Sequence, residues 1–199
     1  MRVVNIGLCG LGTVGSGVFN VLARNSSDIN ARSNCQIKVA QVGCRRDNSS
    51  CDLTAVDVTR DIFDVANNPD IDVVVELIGG TTVAFDLVMT ALKNGKHVIT
   101  ANKALIADHG SAIFSEAESR GLIVAYEAAV AGGIPIVKAL REGLSGNRIN
   151  WLAGIINGTT NFILSEMDSK GREFSDVLSE AQEKGYAEAD PTFDVEGID

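Results

Sequence analysis

Three groups of residues in this 199-residue chain have types and spacings suited to chemistry. The first reads Gly10-Leu11-Gly12-Thr13-Val14-Gly15. Glycines at this spacing divide the work around a dinucleotide pyrophosphate. Gly10 permits a tight turn, Gly12 lets the backbone approach the phosphates, and Gly15 lets a helix pack close to a strand. Thr13 and Val14 then open that helix, whose free N–H groups and partial positive charge favour an anion. The second group, Thr100-Ala101-Asn102-Lys103-Ala104, places a cation after a short apolar run. Lys103 is either a surface lysine starting a helix or a group that polarises a carbonyl or manages a proton during hydride transfer. The third group is Glu188, Asp190, Asp194 and Asp199, beside Gly185-Tyr186 and Gly197. Carboxylates converging on one pocket would hold an ammonium or orient a catalytic lysine; the plain alternative is a solvated acidic tail.

Such residues need elements that bring distant positions to one edge. An apolar run at 3–9 leads into the glycines, and a periodic segment at 14–23 follows, which is the order strand, turn, helix. Residues 37–44, 72–78, 97–100 and 122–126 read as further strands, the second of them with the near-continuous apolar character of a buried parallel strand. Helical spacing marks 82–94, stopped by Gly95, and 111–120, stopped by Gly121. Residues 25–34 are rich in Ser, Asn and Asp and read as a loop, and 44–58 are polar and poorly periodic. Strands alternating with helices predict an α/β fold over residues 1–130, a doubly wound, Rossmann-type parallel sheet. Ligands bind such a sheet at the carboxyl ends of its strands, here 10–15, 43–46, 78–81, 100–103 and 127–131. The pattern changes after about residue 130. Residues 132–135 open a helix, 150–157 read as a strand, 157–161 as a polar turn, and 162–167 and 175–184 as helices. An α+β second domain is expected over 131–199.

At the end of the second strand stands Gly43-Cys44-Arg45-Arg46, with no carboxylate before Asp47. A carboxylate there would bond the ribose hydroxyl of NAD; Arg45 and Arg46 instead suit a 2′-phosphate, so NADP is favoured while NAD stays open. The bland alternative is a pair of solvated arginines on a loop. A net charge of −9 argues against nucleic acid as a partner. No run approaches the roughly 20 apolar residues of a membrane span, and the N-terminus lacks a signal-peptide pattern. Four cysteines without a CxxC pair, and two histidines, make a zinc site improbable and fit free thiols in the cytoplasm.

The chain resembles homoserine dehydrogenase, and the resemblance covers all 199 residues. It is carried by the stretch 7–15, by Glu76-Leu77-Ile78-Gly79-Gly80, by Thr100-Ala101-Asn102-Lys103-Ala104-Leu105, and by 127–135, which reads Glu-Ala-Ala-Val-Ala-Gly-Gly-Ile-Pro. The most specific motifs are Ile156-Asn157-Gly158-Thr159-Thr160-Asn161-Phe162-Ile163 and the stretch 185–199, which opens Gly185-Tyr186-Ala187-Glu188-Ala189-Asp190. The resemblance implies reversible hydride transfer between NAD(P)H and L-aspartate 4-semialdehyde, giving L-homoserine, in a full-length enzyme that is usually a homodimer. It implies that Gly10, Gly12, Thr13, Val14, Gly15, Gly79, Gly80 and Lys103 hold the cofactor. It places Gly158, Thr159, Tyr186, Glu188, Asp194 and Asp199 in the substrate pocket, with Lys103, Glu188 and Asp199 as catalytic candidates. Glu127, Val130, Gly132 and Ile134 match a loop that holds a structural monovalent cation, usually sodium, mainly through backbone carbonyls. Residues 131–199 would begin the substrate and dimerisation domain, with 150–157 able to pair between subunits.

One departure stands out. The family pattern Glu-Gly-x-Asp-Ala-x-x-Lys breaks off at Asp199, so a second lysine is missing. The expectation is an N-terminal fragment of a longer enzyme with little activity alone. Two competing readings are a different Rossmann oxidoreductase acting on an amino acid or its semialdehyde, and a cofactor-binding module without catalysis. The motifs at 157–163 and 185–199 argue against the first.

Overall fold

The β-branched runs form six strands: β1 Arg2–Cys9, β2 Cys35–Gly43, β3 Asp57–Thr59, β4 Val73–Glu76, β5 His97–Thr100 and β6 Val124–Ala125. In this computed structural model, which describes residues 1–155, 157–187 and 190–197 and only the backbone of Phe193, they make one sheet. Every pairing is parallel, in the order β3-β2-β1-β4-β5-β6. That is the order of a doubly wound dinucleotide-binding sheet, with the reversal between β1 and β4.

The helices between the strands are α1 Thr13–Arg24, α2 Ser26–Ser33, α3 Ile62–Asn67, α4 Thr82–Lys93 and α5 Lys103–Ser119. Successive strand residues face opposite ways, so Val74 and Val75 enter different cores. Val74 packs with Val65, Leu87 and Val98; Val75 packs with Leu8, Phe19 and Val42. On α4 the buried residues are Ala84, Leu87, Val88, Ala91 and Leu92, one face at helical spacing. Burying Leu87 or Leu92 fully contributes about 1.5–3 kcal/mol each. α3 approaches β1 so closely that a Cβ on Gly7 would lie 2.2 Å from Val65 Cγ1.

Several expectations are corrected. Residues 26–33 are helical, not loop, although nothing on α2 is buried. Local bonds hold this polar turn: Ser33 Oγ donates to Ile29 O at 2.8 Å, Asn30 Oδ1 accepts from Ile37 N at 2.9 Å, and Asn34 stops the helix in the left-handed region. β3 and α3 were not anticipated, because both are too short to show a period. α5 begins at Lys103 instead of residue 111, since Asn102 Oδ1 caps it by accepting from Leu105 N at 3.0 Å.

Contacts group the chain into two compact units, Met1–Ser145 and Gly146–Asp199. In the first, a short turn at Glu127–Ala129 leads to α6 Ile136–Lys138 and a π-turn at Ala139–Gly143. Glu127 ties these together: its two carboxylate oxygens accept from Val137 N at 2.9 Å and Lys138 N at 2.8 Å. In the second unit, α7 Gly158–Lys170 and α8 Phe174–Glu183 pack around Ile163, Val177, Ala181 and Ala187, and α9 Thr192–Val195 follows. The turn expected at 157–161 is the start of α7, because Asn157 Oδ1 caps it through Thr160 N at 2.7 Å. The strand expected at 150–157 does not form among the described residues. It has apolar side chains but no neighbouring strand among the described residues, and Trp151, Leu152 and Ile155 are 80%, 68% and 73% exposed.

Candidate functional site

Register fixes where the site lies. Cys9 pairs with Gly43 on one side and Glu76 on the other, and Glu76 pairs with Thr100. The chain therefore leaves β1, β2, β4 and β5 at one level, and a cleft of about 680 Å³ opens at that edge. It spans the point where strand order reverses, the place where open parallel sheets bind ligands.

The three glycines of the turn differ in what surrounds them. Gly10 has φ +101°, and a Cβ there would sit 2.5 Å from the Leu77 carbonyl oxygen. A Cβ on Gly15 would sit 2.0 Å from the Gly10 oxygen. Beside Gly12 there is nothing within 4 Å, so the space in front of it is open. Gly10 and Gly12 line the cleft, while Thr13, Val14 and Gly15 form the first turn of α1. No side chain caps α1 and no acid sits in its first turn, which leaves its N-terminal charge for an anion.

Arg45 and Arg46 line the same cleft, are exposed, and make no ion pair or hydrogen bond among the described residues. Asp47 also lines it, but its Oδ1 accepts from Arg60 Nη2 at 2.9 Å. Arg60 Nη1 also donates to Cys44 O at 3.2 Å, and Asn48 Nδ2 donates to Leu11 O at 3.0 Å. The loop after β2 is thus fastened both to β3's end and to the glycine turn. Burial pushes the Cys44 thiol above its ordinary pKa against the pull of Arg60. Arg60 and Asn48 escaped sequence reading, since no motif marks a residue that acts by holding a loop.

Gly79 and Gly80 form the opposite rim, with φ of +74° and +71°. Glu76, fully buried, fixes this turn: its Oε1 accepts from Ile78 N at 2.9 Å and Gly79 N at 3.3 Å. Its Oε2 accepts from Thr100 Oγ1 at 2.5 Å. Cys9, on the adjacent strand, is pushed up to about 12 by burial and then by the Glu76 charge, so it stays a thiol. The signal for Glu76 was in the sequence: a charge ending the run Val73-Val74-Val75.

Lys103 is exposed and opens α5 at the carboxyl edge, though it does not line the cleft. A lysine in the first turn of a helix stands against the macrodipole. In the loop carrying Val130, Gly132 and Ile134, Ala131 has φ +46°, a conformation that costs a residue with a Cβ. Both carboxylate oxygens of Glu127 accept from the backbone, at Val137 N and Lys138 N, which fastens this loop to α6.

The second unit gathers its own candidates at the start of α7. Thr159 Oγ1 donates to Tyr186 O at 2.6 Å, Asn157 Nδ2 donates to Asp194 Oδ1 at 2.7 Å, and Thr160 Oγ1 donates to Asp194 O at 3.3 Å. Gly158, Thr159, Tyr186 and Asp194 are therefore brought together. Asp194 belongs to this knot, whereas Asp190 bonds only its own turn, through Thr192. Glu188 and Asp199 lie outside the described residues.

Comparison with known proteins fits this geometry. A family model described as the NAD-binding domain of homoserine dehydrogenase matches residues 10–127, and the homoserine dehydrogenase model matches 135–199. A homoserine dehydrogenase of Pseudomonas aeruginosa is 68% identical over 100% of this chain and 46% of its own length. The chain thus spans about half the length of the curated relatives it matches. A solved homoserine dehydrogenase from Thiobacillus denitrificans superposes with TM-score 0.92 at 56% identity, over 100% of this chain and 46% of that one. A hyperthermophilic archaeal homoserine dehydrogenase, solved in complex with NADPH, gives TM-score 0.83 at 25% identity, over 99% of this chain and 66% of that one.

Proposed function

The chain belongs to the homoserine dehydrogenase family, and from that premise we propose that it carries the cofactor site and the start of the substrate domain of an NADP-dependent enzyme interconverting L-homoserine and L-aspartate 4-semialdehyde. The observation that carries the reading is the cleft at the β1–β4 switch point, with Gly12 open beside it and Arg45 and Arg46 on its wall. When bound, NADP would accept or return a hydride. The glycine turn and the uncapped start of α1 bind its pyrophosphate; Arg45 and Arg46 take the 2′-phosphate, in keeping with the NADPH held by the archaeal relative. Gly79 and Gly80 bound the opposite side, each with open space where a Cβ would stand.

Lys103 manages the proton of the substrate oxygen. Its place supports this role: it opens α5 just past Thr100, at the carboxyl end of β5. Gly158, Thr159, Tyr186 and Asp194 hold the substrate with Glu188 and Asp199, the carboxylates taking its ammonium. Residues 1–130 are the NAD(P)-binding domain and 131–199 begin the substrate and dimerisation domain, in line with the change of pattern after residue 130. The exposed Trp151, Leu152 and Ile155 support a homodimer of the full-length enzyme through this segment. A sodium-sized cation bound by carbonyls of Glu127, Val130, Gly132 and Ile134 would steady the strained Ala131 turn. Four free cysteines fit a reducing cytoplasm, and no described helix is long and apolar enough to cross a membrane.

The test is the full-length protein assayed for NADP reduction with L-homoserine, in sodium and in sodium-free buffer. Turnover with homoserine, and not with other hydroxy amino acids, is expected. Absence of homoserine turnover while NADPH still binds would leave a cofactor-binding module in place of an enzyme.

A further inference from the structure

Glu76 is the least expected residue at this edge. It is fully buried between Cys9 on β1 and Thr100 on β5, where an apolar side chain would avoid desolvating a carboxylate. Its bonds close a ring. Gly79 N and Ile78 N donate to Glu76 Oε1, and Thr100 Oγ1 donates to Oε2. Asn102 N donates to Thr100 Oγ1 at 3.0 Å, and Asn102 Nδ2 returns to Gly80 O at 2.6 Å. The same Asn102 caps α5, whose first residue is Lys103. The N–H groups of Ile78 and Gly79 and the carbonyl of Gly80 are used inward, which ties the Gly79–Gly80 turn to the buried carboxylate and to Asn102.

We propose that Glu76, Thr100 and Asn102 are positioning residues, a hydrogen-bonded ring that makes the cleft rim at Gly79–Gly80 and the lysine-bearing first turn of α5 move as one piece. The inference rests on the cofactor and lysine roles proposed above. Filling the cleft would then set the position of Lys103, and the carboxylate is retained because only an acceptor at both oxygens can collect these three donors.

Three variants of the full-length enzyme test this. Thr100→Val removes both the donor to Glu76 and the acceptor for Asn102. Thr100→Ser keeps both. Asn102→Asp keeps the α5 cap but sets an acceptor against the Gly80 carbonyl, and serves if Thr100→Val does not fold. The expected result is a kcat lowered about ten- to a hundredfold in Thr100→Val and Asn102→Asp, the size of a misplaced catalytic group. KM for NADP should stay within about threefold, the midpoint of the pH–rate profile should move, and Thr100→Ser should recover wild-type values to about twofold. Lost stability alone would move neither the pH profile nor the kcat-to-KM split. Wild-type rates and pH profile in both Thr100→Val and Asn102→Asp would overturn the ring, as would a Thr100→Ser as impaired as Thr100→Val.

Hydrogen exchange separates failure of the ring from failure of the functional reading. In the wild type, NADPH should protect residues 78–80 and 102–105 together, and Asn102→Asp should leave only the first protected. Protection confined to 78–80 in the wild type overturns the ring even if homoserine is turned over. A wild type that couples the two segments but does not oxidise homoserine overturns the assigned reaction and leaves the ring standing.

Discussion

At its sheet edge the first unit turns a small set of polar groups inward, whereas the ion pairs of the second unit meet solvent. At the edge of the sheet a buried carboxylate, a threonine and an asparagine satisfy one another inside a fold with apolar cores on both faces. The second unit has a core of Ile163, Val177, Ala181 and Ala187, a rim of ion pairs around Glu180, and bare apolar side chains at 151, 152 and 155. A site made from the unit's own main chain can stand ready. One resting on a core that small depends on further packing, because burial scales with size.

The largest break in this contrast is expected from Ile163→Ala. Truncating a buried isoleucine in a small core costs about 2–5 kcal/mol. Hydrogen exchange in α7 and α8 should rise steeply while NADPH affinity, which belongs to the first unit, holds. Equal loss of both would show that the cleft leans on the second unit.

Inside the first unit the glycines sharpen the point. Gly15→Ala drives a Cβ into a backbone oxygen 2.0 Å away and should cost about 3 kcal/mol, lowering the melting temperature and abolishing NADPH binding. The Cβ of Gly12→Ala meets no atom within 4 Å, so the melting temperature should hold while binding falls. A parallel loss of stability in both would refute the division between a glycine needed for packing and one needed for the ligand. Smaller again, Arg45→Ala with Arg46→Ala should weaken NADPH about tenfold, ~1.5 kcal/mol, and NADH hardly at all. Equal weakening of both by isothermal titration would mean that the arginines do not read the 2′-phosphate.

What the sequence disclosed follows the same line. β1, α1, α4 and β5 were legible because their periods are long or their boundaries carry a glycine or a cap. The glycine turn was legible because its chemistry and its backbone demand the same residue. Glu76 was visible as a charge out of place, but its partners Thr100 and Asn102 meet it only through strand register, which no local pattern encodes. The run at 150–157 failed for the opposite reason. An apolar run states what a strand would be made of and says nothing about whether a neighbour exists to bond it.

Acid should separate the units most gently. Lys184 and Arg172, both hydrogen-bonded to Glu180, hold its carboxyl down to about 2, and Lys170, then Arg172, lower Glu166 as well. A carboxylate depressed on folding adds stability above its unfolded value, near 4.5, and that stability drains away as pH falls toward the folded value. Hydrogen exchange in α7 and α8 should therefore rise between pH ~4.5 and ~2, ahead of exchange in β1 and β4. Because these pairs meet solvent, the effect is small, and salt should shrink it, since a Debye length of about 8 Å at physiological ionic strength screens them. Glu180→Gln should remove the acid step without touching the first unit. If the step survives that change, the ion pairs are not what holds the second unit together, and its stability rests on the apolar core alone.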